Sequence, residues 1–405
     1  MSDAFNIPSQ SQQEKMRRQG YILAVIALIA AGFGAYLVAA GALPDQYNLK
    51  VGETVPGITV PEGFELRVFM TDLAGPRMII AHPAENVLFV SERGAGQVLA
   101  VQDRDEDGIA DAPVVVVDGL SVPSGLAYHD GWLYVAEASR VMRYELTETW
   151  QAAREETILD GLPAGRHPNE VDSNLHALLI HDGELYVSIG APCAACEPDN
   201  SRRASILVLN LDGSNERTFA RGVYRALGLA TNPLTGALWA TVQGRPQLPD
   251  DVPEAIYELQ NGDDLGWPRC HAGDIPDPDM GGSEACAAGV LQPLVTFAPQ
   301  GNATGLAFYQ GDTFPASYTN DLFVALYGGV TSAGEQSIFG VMHLPVNANG
   351  ELETDQVELF TEGFRQSEEP GDHLGRPFDL TVAPDGLLYI TDDAAGAIYQ
   401  LRYVG

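Results

Sequence analysis

From about residue 60 onward, short apolar runs alternate with turns rich in Pro, Asp and Gly, and one unit recurs six times. Each copy is an apolar strand, a turn, and a second apolar strand, commonly of the form LY-V or LF-V. The copies are MIIAHPAENVLFVSE from Met78, GLAYHDGWLYVAE from Gly125, LLIHDGELYVSIG from Leu178, GLATNPLTGALWATV from Gly228, GLAFYQGDTFPASYTNDLFVALYG from Gly305 and LTVAPDGLLYITDD from Leu380. Turn residues such as Asp-Gly supply the positive φ of a tight hairpin, so every copy predicts two antiparallel strands. The starts lie 47 to 77 residues apart, a blade period lengthened by loop insertions. One blade cannot bury both of its sheet faces, whereas a closed ring of blades can. The expected fold of residues 61–405 is therefore all-β, a six-bladed β-propeller. Phe64–Phe69 (FELRVF) is expected to pair with the last blade near Tyr399–Val404 and fasten the ring, which removes free sheet edges. Outside the N-terminal apolar run, only the stretch 147–157 admits a short helical pattern.

That apolar run, Tyr21–Leu43, spans 23 residues without a charge. At about 1.5 Å per residue it can cross a hydrocarbon core of about 30 Å. Lys15, Arg17 and Arg18 precede it and Asp45 follows, so the positive-inside rule places residues 1–20 in the cytoplasm and the propeller outside. The sequence thus predicts one N-terminal transmembrane helix at 21–43 and a tether at 44–60. A cleavable signal peptide is the alternative, but the apolar run exceeds the usual signal core.

Composition narrows the partners. The chain carries 55 Asp plus Glu against 22 Lys plus Arg, a formal net charge of -33. Such a surface repels phosphate backbones, so nucleic-acid binding is not expected.

Two local patterns carry chemistry of their own. Asp103-Arg-Asp105-Glu-Asp107-Gly108-Ile109-Ala-Asp111 has the spacing of a tight loop that wraps oxygen ligands around Ca²⁺. Asp103, Asp105, Asp107 and Asp111 would offer carboxylates and Ile109 its carbonyl; a merely acidic turn is the alternative. The position of an EF-hand's bidentate Glu is taken by Val114. Cys193, Cys196, Cys270 and Cys286 all lie in the part expected to be exported, where disulfides form. Proximity favours Cys193–Cys196 and Cys270–Cys286, with a redox Cys-x-x-Cys or a zinc site as rivals.

As a set, VPEGFELRVF at Val60, VSERGAGQVL at Val90, DRDEDGIAD at Asp103, CAACEPDNSRRASILVLNLDGS at Cys193, LGWPRC at Leu265 and GRPFDLTVAPDGLLYITDDAAGAIYQL at Gly375 resemble one group. The chain is similar, over most of residues 60–405, to the soluble quinoprotein glucose dehydrogenases and their sorbosone-dehydrogenase relatives. The resemblance implies a six-bladed propeller that oxidises an aldose-type sugar with pyrroloquinoline quinone (PQQ) and hands electrons to a membrane acceptor. It also implies a catalytic base, a histidine at the start of the third blade's inner strand. In this sequence that position falls on Ser173 or Asn174, and His176 is the nearest histidine. Arg376 matches a cofactor-facing arginine and is a catalytic candidate too. Arg225, beside the place of an Arg-Asn pair, and Gly244 with Arg245 complete the candidate cofactor-binding set. His373 is a second candidate base. His82, His129 and His181 fall in blade turns and are expected to face solvent. A propeller that has lost catalysis and serves as a binding or scaffold subunit is the competing expectation, and a metal-dependent hydrolase a more distant one.

Overall fold

The computed structural model describes residues 49–405 apart from 164–173, 247, 249–251, 282–285, 287–288 and 355–356. The expected membrane-spanning segment 21–43 and Ser173 lie outside the described residues. Among the described residues no helix is long and apolar enough to cross a membrane.

Six antiparallel sheets follow one another along the chain, and each sequence copy forms the inner hairpin of one sheet. Blade 1 is Pro76–Ala81, Leu88–Glu92, Gln97–Val101 and Val114–Val117; blade 2 is Leu126–His129, Trp132–Glu137, Arg140–Leu146 and Ala152–Asp160. Blade 3 is Leu178–His181, Glu184–Ile189, Ser205–Asn210 and Arg217–Arg221; blade 4 is Gly228–Thr231, Leu238–Val242, Glu254–Leu259 and Val295–Phe297. Blade 5 is Ala303–Phe308, Leu322–Leu326, Gly340–Leu344 and Glu358–Leu359. Blade 6 takes Pro377–Val382, Leu388–Asp392 and Ala397–Tyr403 from the C-terminus and Phe64–Met70 from the N-terminal side. The expected closure thus forms, with Phe64 opposite Tyr403 and Leu66 opposite Leu401. Residues 52–55 then cover the outer edge of that strand: Gly52 donates to the Val68 carbonyl and Val55 to the Leu66 carbonyl, at 2.8 and 3.0 Å.

The stretch 147–157 is not helical. A turn at Thr147–Gln151 leads into the strand Ala152–Asp160, where Arg154 faces Glu145 and Glu156 faces Arg143 across the ladder. Cross-strand charge pairs and the bulges of this pair outweigh the weak helical period.

Serine and threonine hydroxyls on second strands bind neighbouring blades together. Ser188 Oγ accepts the Ala177 amide within blade 3 and donates to Ala226, just ahead of blade 4, at 2.7 Å. Thr241 Oγ1 links blade 4 to Thr304 at 2.6 Å, and Thr391 Oγ1 links blade 6 to Arg77 at 2.6 Å. A hydroxyl can donate and accept at once, so one side chain satisfies groups of two sheets whose inner strands do not pair. The inner strands surround an axial channel of about 450 Å³, lined mainly by Leu, Ile, Ala and Val with Asp379 at its edge.

Candidate active site at the channel mouth

In an antiparallel blade the first strand starts, the second ends and the third starts at the same end. The connections that precede the inner strands and those between second and third strands therefore share one end of the ring. This end is the mouth of the ring, and the candidates Arg225, Gly244, Arg245, Arg376 and His176 all belong to it, although none of them lines the axial channel, which runs from Asp379 toward Pro83 and Gln310 at the other end.

Acidic residues at the ends of second strands fix the backbone there. Asp392 accepts the Arg376 amide at 2.8 Å, Glu92 the Ala74 amide at 2.6 Å and Glu137 the Ser121 amide at 2.7 Å. Asp392 also accepts from Ala395 and from the Tyr399 hydroxyl. Burial pushes its carboxyl up to about 6, the amide bonds opposing the rise. The copies VSE, VAE and ITD carry this signal in the sequence.

Arg376 is thereby held with its Nε on the Tyr327 carbonyl at 3.0 Å and its Nη2 on the Gly328 carbonyl at 2.7 Å. Its guanidinium lies 3.5 Å from the centroid of the Tyr327 ring. A second guanidinium shares that ring. Arg77, at the start of blade 1, lies 5.2 Å from the Tyr327 centroid and 4.3 Å from that of Phe378, and pairs with Asp393 at 2.7 Å. The Tyr327 hydroxyl meets the same Asp393 at 3.3 Å. Arg77 Nε is buried without a hydrogen-bond partner. Sequence reasoning missed Arg77; its position beside the first copy, in PRM, matches that of Arg376 beside the last, in GRPFD.

His373 is half-buried three residues before Arg376, its ring 5.4 Å from that of Phe339. Its Nδ1 is buried without a partner, and burial, then the Arg376 charge, lowers its pKa. His176 differs. Its side chain is fully buried, with Nδ1 3.0 Å from the Ser188 carbonyl and Nε2 3.3 Å from the Ala138 carbonyl. Both ring nitrogens face backbone oxygens of blades 2 and 3; burial keeps the ring neutral, so its one N–H donates to one of these carbonyls while the ring packs between the two blades.

Arg225 is half-buried, and its Nη1 lies 3.5 Å from the Gln243 side-chain oxygen. Gly244 packs against the backbone: a Cβ there would sit 2.2 Å from the Val252 carbonyl. Arg245 is buried and pairs with Asp277 at 3.0 Å and Asp279 at 2.7 Å. These aspartates belong to the insertion 260–294, which rises along blade 3 because Asp263–Asp264 pair parallel with Ala220–Arg221. The insertion carries His271, bonded to Asp277 at 2.8 Å, and the Cys270–Cys286 disulfide. Trp267 donates from its indole to the Ala194 carbonyl at 3.0 Å, beside the Cys193–Cys196 disulfide. Both expected disulfides are therefore present, and they pin the wall of the mouth over blades 3 and 4. Arg245 belongs to this wall.

The aspartate loop is the connection between the third and fourth strands of blade 1, so it lies at the opposite end of the ring. Ligand oxygens of Asp103, Asp105 and Asp107 come within 4.8 Å of one another. The Asp103 carboxylate accepts the Gly108 amide at 2.8 Å, and the Asp107 carboxylate the Ile109 amide at 2.8 Å. The charge of Asp107 is the first cause that raises the Asp105 pKa. Asp111 turns instead to Arg104, whose amide it accepts at 3.0 Å. A cleft of about 640 Å³ adjoins the loop. Its polar walls satisfy each other, Tyr389 donating to Asp385 at 2.8 Å and accepting from Gln400 at 3.0 Å.

Of the turn histidines, His129 is exposed and His181 half-buried. His82 corrects the expectation of solvent exposure: it is 8% exposed, its Nδ1 accepts the Glu85 amide at 3.0 Å, and its ring meets Tyr128 at 4.6 Å.

Residues 73–400 match the family described as Glucose / Sorbosone dehydrogenase. Aldose sugar dehydrogenase YliI of Escherichia coli K12 is 26% identical over 194 residues, 47% of this chain and 44% of that one. Among solved structures, the calcium structure of a Trichoderma reesei enzyme of Carbohydrate-Active Enzymes Family AA12 is 19% identical, with TM-score 0.73, over 88% of this chain and 99% of that one. The holo PQQ domain of pyranose dehydrogenase from Coprinopsis cinerea is 17% identical, with TM-score 0.71, over 87% and 98%. These two likenesses establish the fold.

Proposed function

Because the chain belongs to the glucose/sorbosone dehydrogenase family, we propose that it is a PQQ-dependent oxidoreductase acting on the hydroxyl or hemiacetal of aldose-type sugars. The observation that carries this is the pair of guanidiniums, Arg77 and Arg376, held about the Tyr327 ring at the mouth end of the ring of blades. PQQ is a planar polycarboxylate, and cations beside an aromatic face suit both its charge and its shape. The orphaned Arg77 Nε supports the fit, because a buried donor without a partner is costly unless a ligand completes it. Arg77, Arg376 and Arg225 would hold the cofactor's carboxylates and quinone oxygens. When bound, PQQ supplies the acceptor for the hydride that leaves the carbon carrying the hydroxyl. The chain's own task is to remove the hydroxyl proton. His373, kept neutral by burial and by Arg376, is the base this structure favours, taking that proton at an imidazole nitrogen.

The Asp103–Asp107 loop is proposed to hold Ca²⁺ structurally, far in topology from the mouth. The apolar segment 21–43 and the basic residues before it support a membrane anchor with the propeller outside the cytoplasm and a membrane electron acceptor nearby.

One observation favours a second reading, a binding or scaffold propeller: the histidine nearest the expected base position, His176, is locked between two carbonyls. Titration of the folded apoprotein with PQQ and Ca²⁺ separates the two. The enzyme gives a quinone spectrum that an aldose bleaches; a folded protein that binds no PQQ at micromolar concentration is the scaffold.

A further inference from the structure

The rim of the mouth between blades 5 and 6 hangs on one amide side chain. Residues 365–373, ahead of blade 6, form a loop whose ends meet at the Arg365–His373 bridge and whose tip, Glu368–Asp372, is exposed. Within the loop, Asp372 donates to the Glu369 carbonyl at 3.1 Å and Gln366 to the Asp372 carbonyl at 3.0 Å. Pro370 has no N–H to add to these. Further bonds reach the loop from outside, and they converge on Gln336 in the connection between the second and third strands of blade 5.

Gln336 is 3% exposed. Its Nε2 donates to the Asp372 carbonyl at 2.9 Å and to the Ser367 carbonyl at 3.3 Å, and its Oε1 accepts the Gly371 amide at 3.0 Å. Its backbone joins in: the N–H donates to the Glu368 carbonyl at 2.9 Å, and the carbonyl accepts Arg365 Nη1 at 2.9 Å. A side-chain amide carries two N–H donors and an acceptor in one plane, which matches two loop carbonyls and one loop N–H. A glutamate of the same length would turn only acceptors toward those carbonyls.

The loop delivers His373 to the mouth. The His373 ring stands 5.4 Å from that of Phe339, at 25°, and the Arg376 guanidinium lies 5.7 Å from the same Phe339 ring. Phe339 is itself buried and packs on Gly328, where a Cβ would come within 2.5 Å of the ring. Packing therefore fixes the surface beneath the imidazole, and the loop fixes where the imidazole sits on it.

We infer that Gln336 is a positioning residue whose side-chain amide holds the 365–373 loop and so places the His373 imidazole over Phe339. The inference rests on the reading of His373 as the base that takes the hydroxyl proton. A base acts only within hydrogen-bond reach of its proton, and a misplacement of about 1 Å can cost about 10²-fold in rate. Arg376 is held separately, by Asp392 on its amide and by the Tyr327 and Gly328 carbonyls on its guanidinium. Loosening the loop thus slows proton removal and leaves the cofactor's cation in place.

Three measurements test this. In the apoprotein, hydrogen exchange resolved to single amides should find Gly371 protected in wild type although the residue is exposed, with protection falling at least about tenfold in Gln336→Ala. In the PQQ-loaded enzyme, Gln336→Ala should lower kcat about 10²-fold while PQQ affinity stays within about twofold of wild type. The double variant Gln336→Ala/His373→Asn should be no slower than His373→Asn alone, because an absent base cannot be misplaced. Gln336→Glu should behave as Gln336→Ala does; if neither variant folds, the wild-type Gly371 amide still decides. Fast exchange at Gly371 in wild type, an unchanged kcat in Gln336→Ala, or losses that add in the double variant overturn the inference. A wild type that binds no PQQ, or a His373→Asn that oxidises aldose at the wild-type rate, sinks the reading beneath it instead. The Gly371 exchange then decides alone whether the amide holds the loop.

Discussion

Two histidines separate catalysis from architecture at the scale of the residue. His176 is closed in by the Ser188 and Ala138 carbonyls, and its ring crosses between blades. Removing it takes away a buried hydrogen bond from the neutral ring, so His176→Ala should cost about 1–3 kcal/mol in urea unfolding. His373 lies half-buried beside Arg376 with its ring against Phe339 and its Nδ1 without a hydrogen-bond partner. His373→Asn should lower kcat by about 10²–10⁴ with an unchanged melting temperature, the range for a lost general base. The converse pattern, a stable His176→Ala without activity, would return the base to His176. Arg376 gives a cleaner binding test, because its backbone is fixed independently by Asp392. Arg376→Ala should weaken PQQ binding by about 1.5–3 kcal/mol, the range for a hydrogen bond to a charged group, as read by equilibrium titration.

Among the elements, the joint between the inner strands of blades 5, 6 and 1 is the tightest. Asp379 Oδ2 accepts the Ile79 amide at 2.9 Å, and a Cβ on Gly305 would sit 1.8 Å from Asp379 Oδ1. Gly305→Ala must move backbone against backbone and should destabilise by about 1–3 kcal/mol or more. Burial pushes Asp379 up to about 7. Its folded pKa exceeds the ordinary carboxyl value of 3.8, so the stability it lends in neutral form disappears as pH rises through about 7. Asp379→Asn keeps an acceptor for Ile79 and should melt like wild type near pH 4 but higher than wild type at pH 8. The aspartate loop is the other element that answers to solution conditions. At a hundredfold excess over Kd, Ca²⁺ bound only by the folded state adds about 2.7 kcal/mol. Chelator should lower the wild-type melting temperature, and Asp105→Ala should abolish that response. Equal melting of wild type with chelator and with millimolar Ca²⁺ would show that the loop is an acidic turn.

For the molecule as a whole, closure and topology are the properties to test. The ring is fastened by Phe64–Met70, whose edge is then covered by residues 52–55, so the later part of the expected tether 44–60 is structural, paired backbone. Protease added to intact cells should release a fragment beginning between residues 44 and about 50, because cleavage beyond that point cuts into paired backbone. A body protected until lysis would overturn the orientation drawn from Lys15, Arg17 and Arg18. The net charge of -33 belongs to this scale as well, since self-repulsion across so acidic a surface makes the folded state more stable as salt screens it.

The hairpins were legible because their information is local. An apolar pair of strands with Asp-Gly between them specifies its own turn, six such units specify a ring, and cysteines 3 and 16 residues apart specify their own bridges. The strand Ala152–Asp160 was not legible, because its partners Arg143 and Glu145 lie beyond a turn that a helical count runs through. The mouth was legible only in part. Its side chains come from different blades, so Arg77 and Arg376 stand 299 positions apart in the chain yet meet on one tyrosine ring. Whether a histidine is a base or a joint depends on what its nitrogens face, and whether Asp379 is charged depends on how much water reaches it. Those are properties of the space between blades, which the tertiary structure alone decides, because no single segment encloses that space.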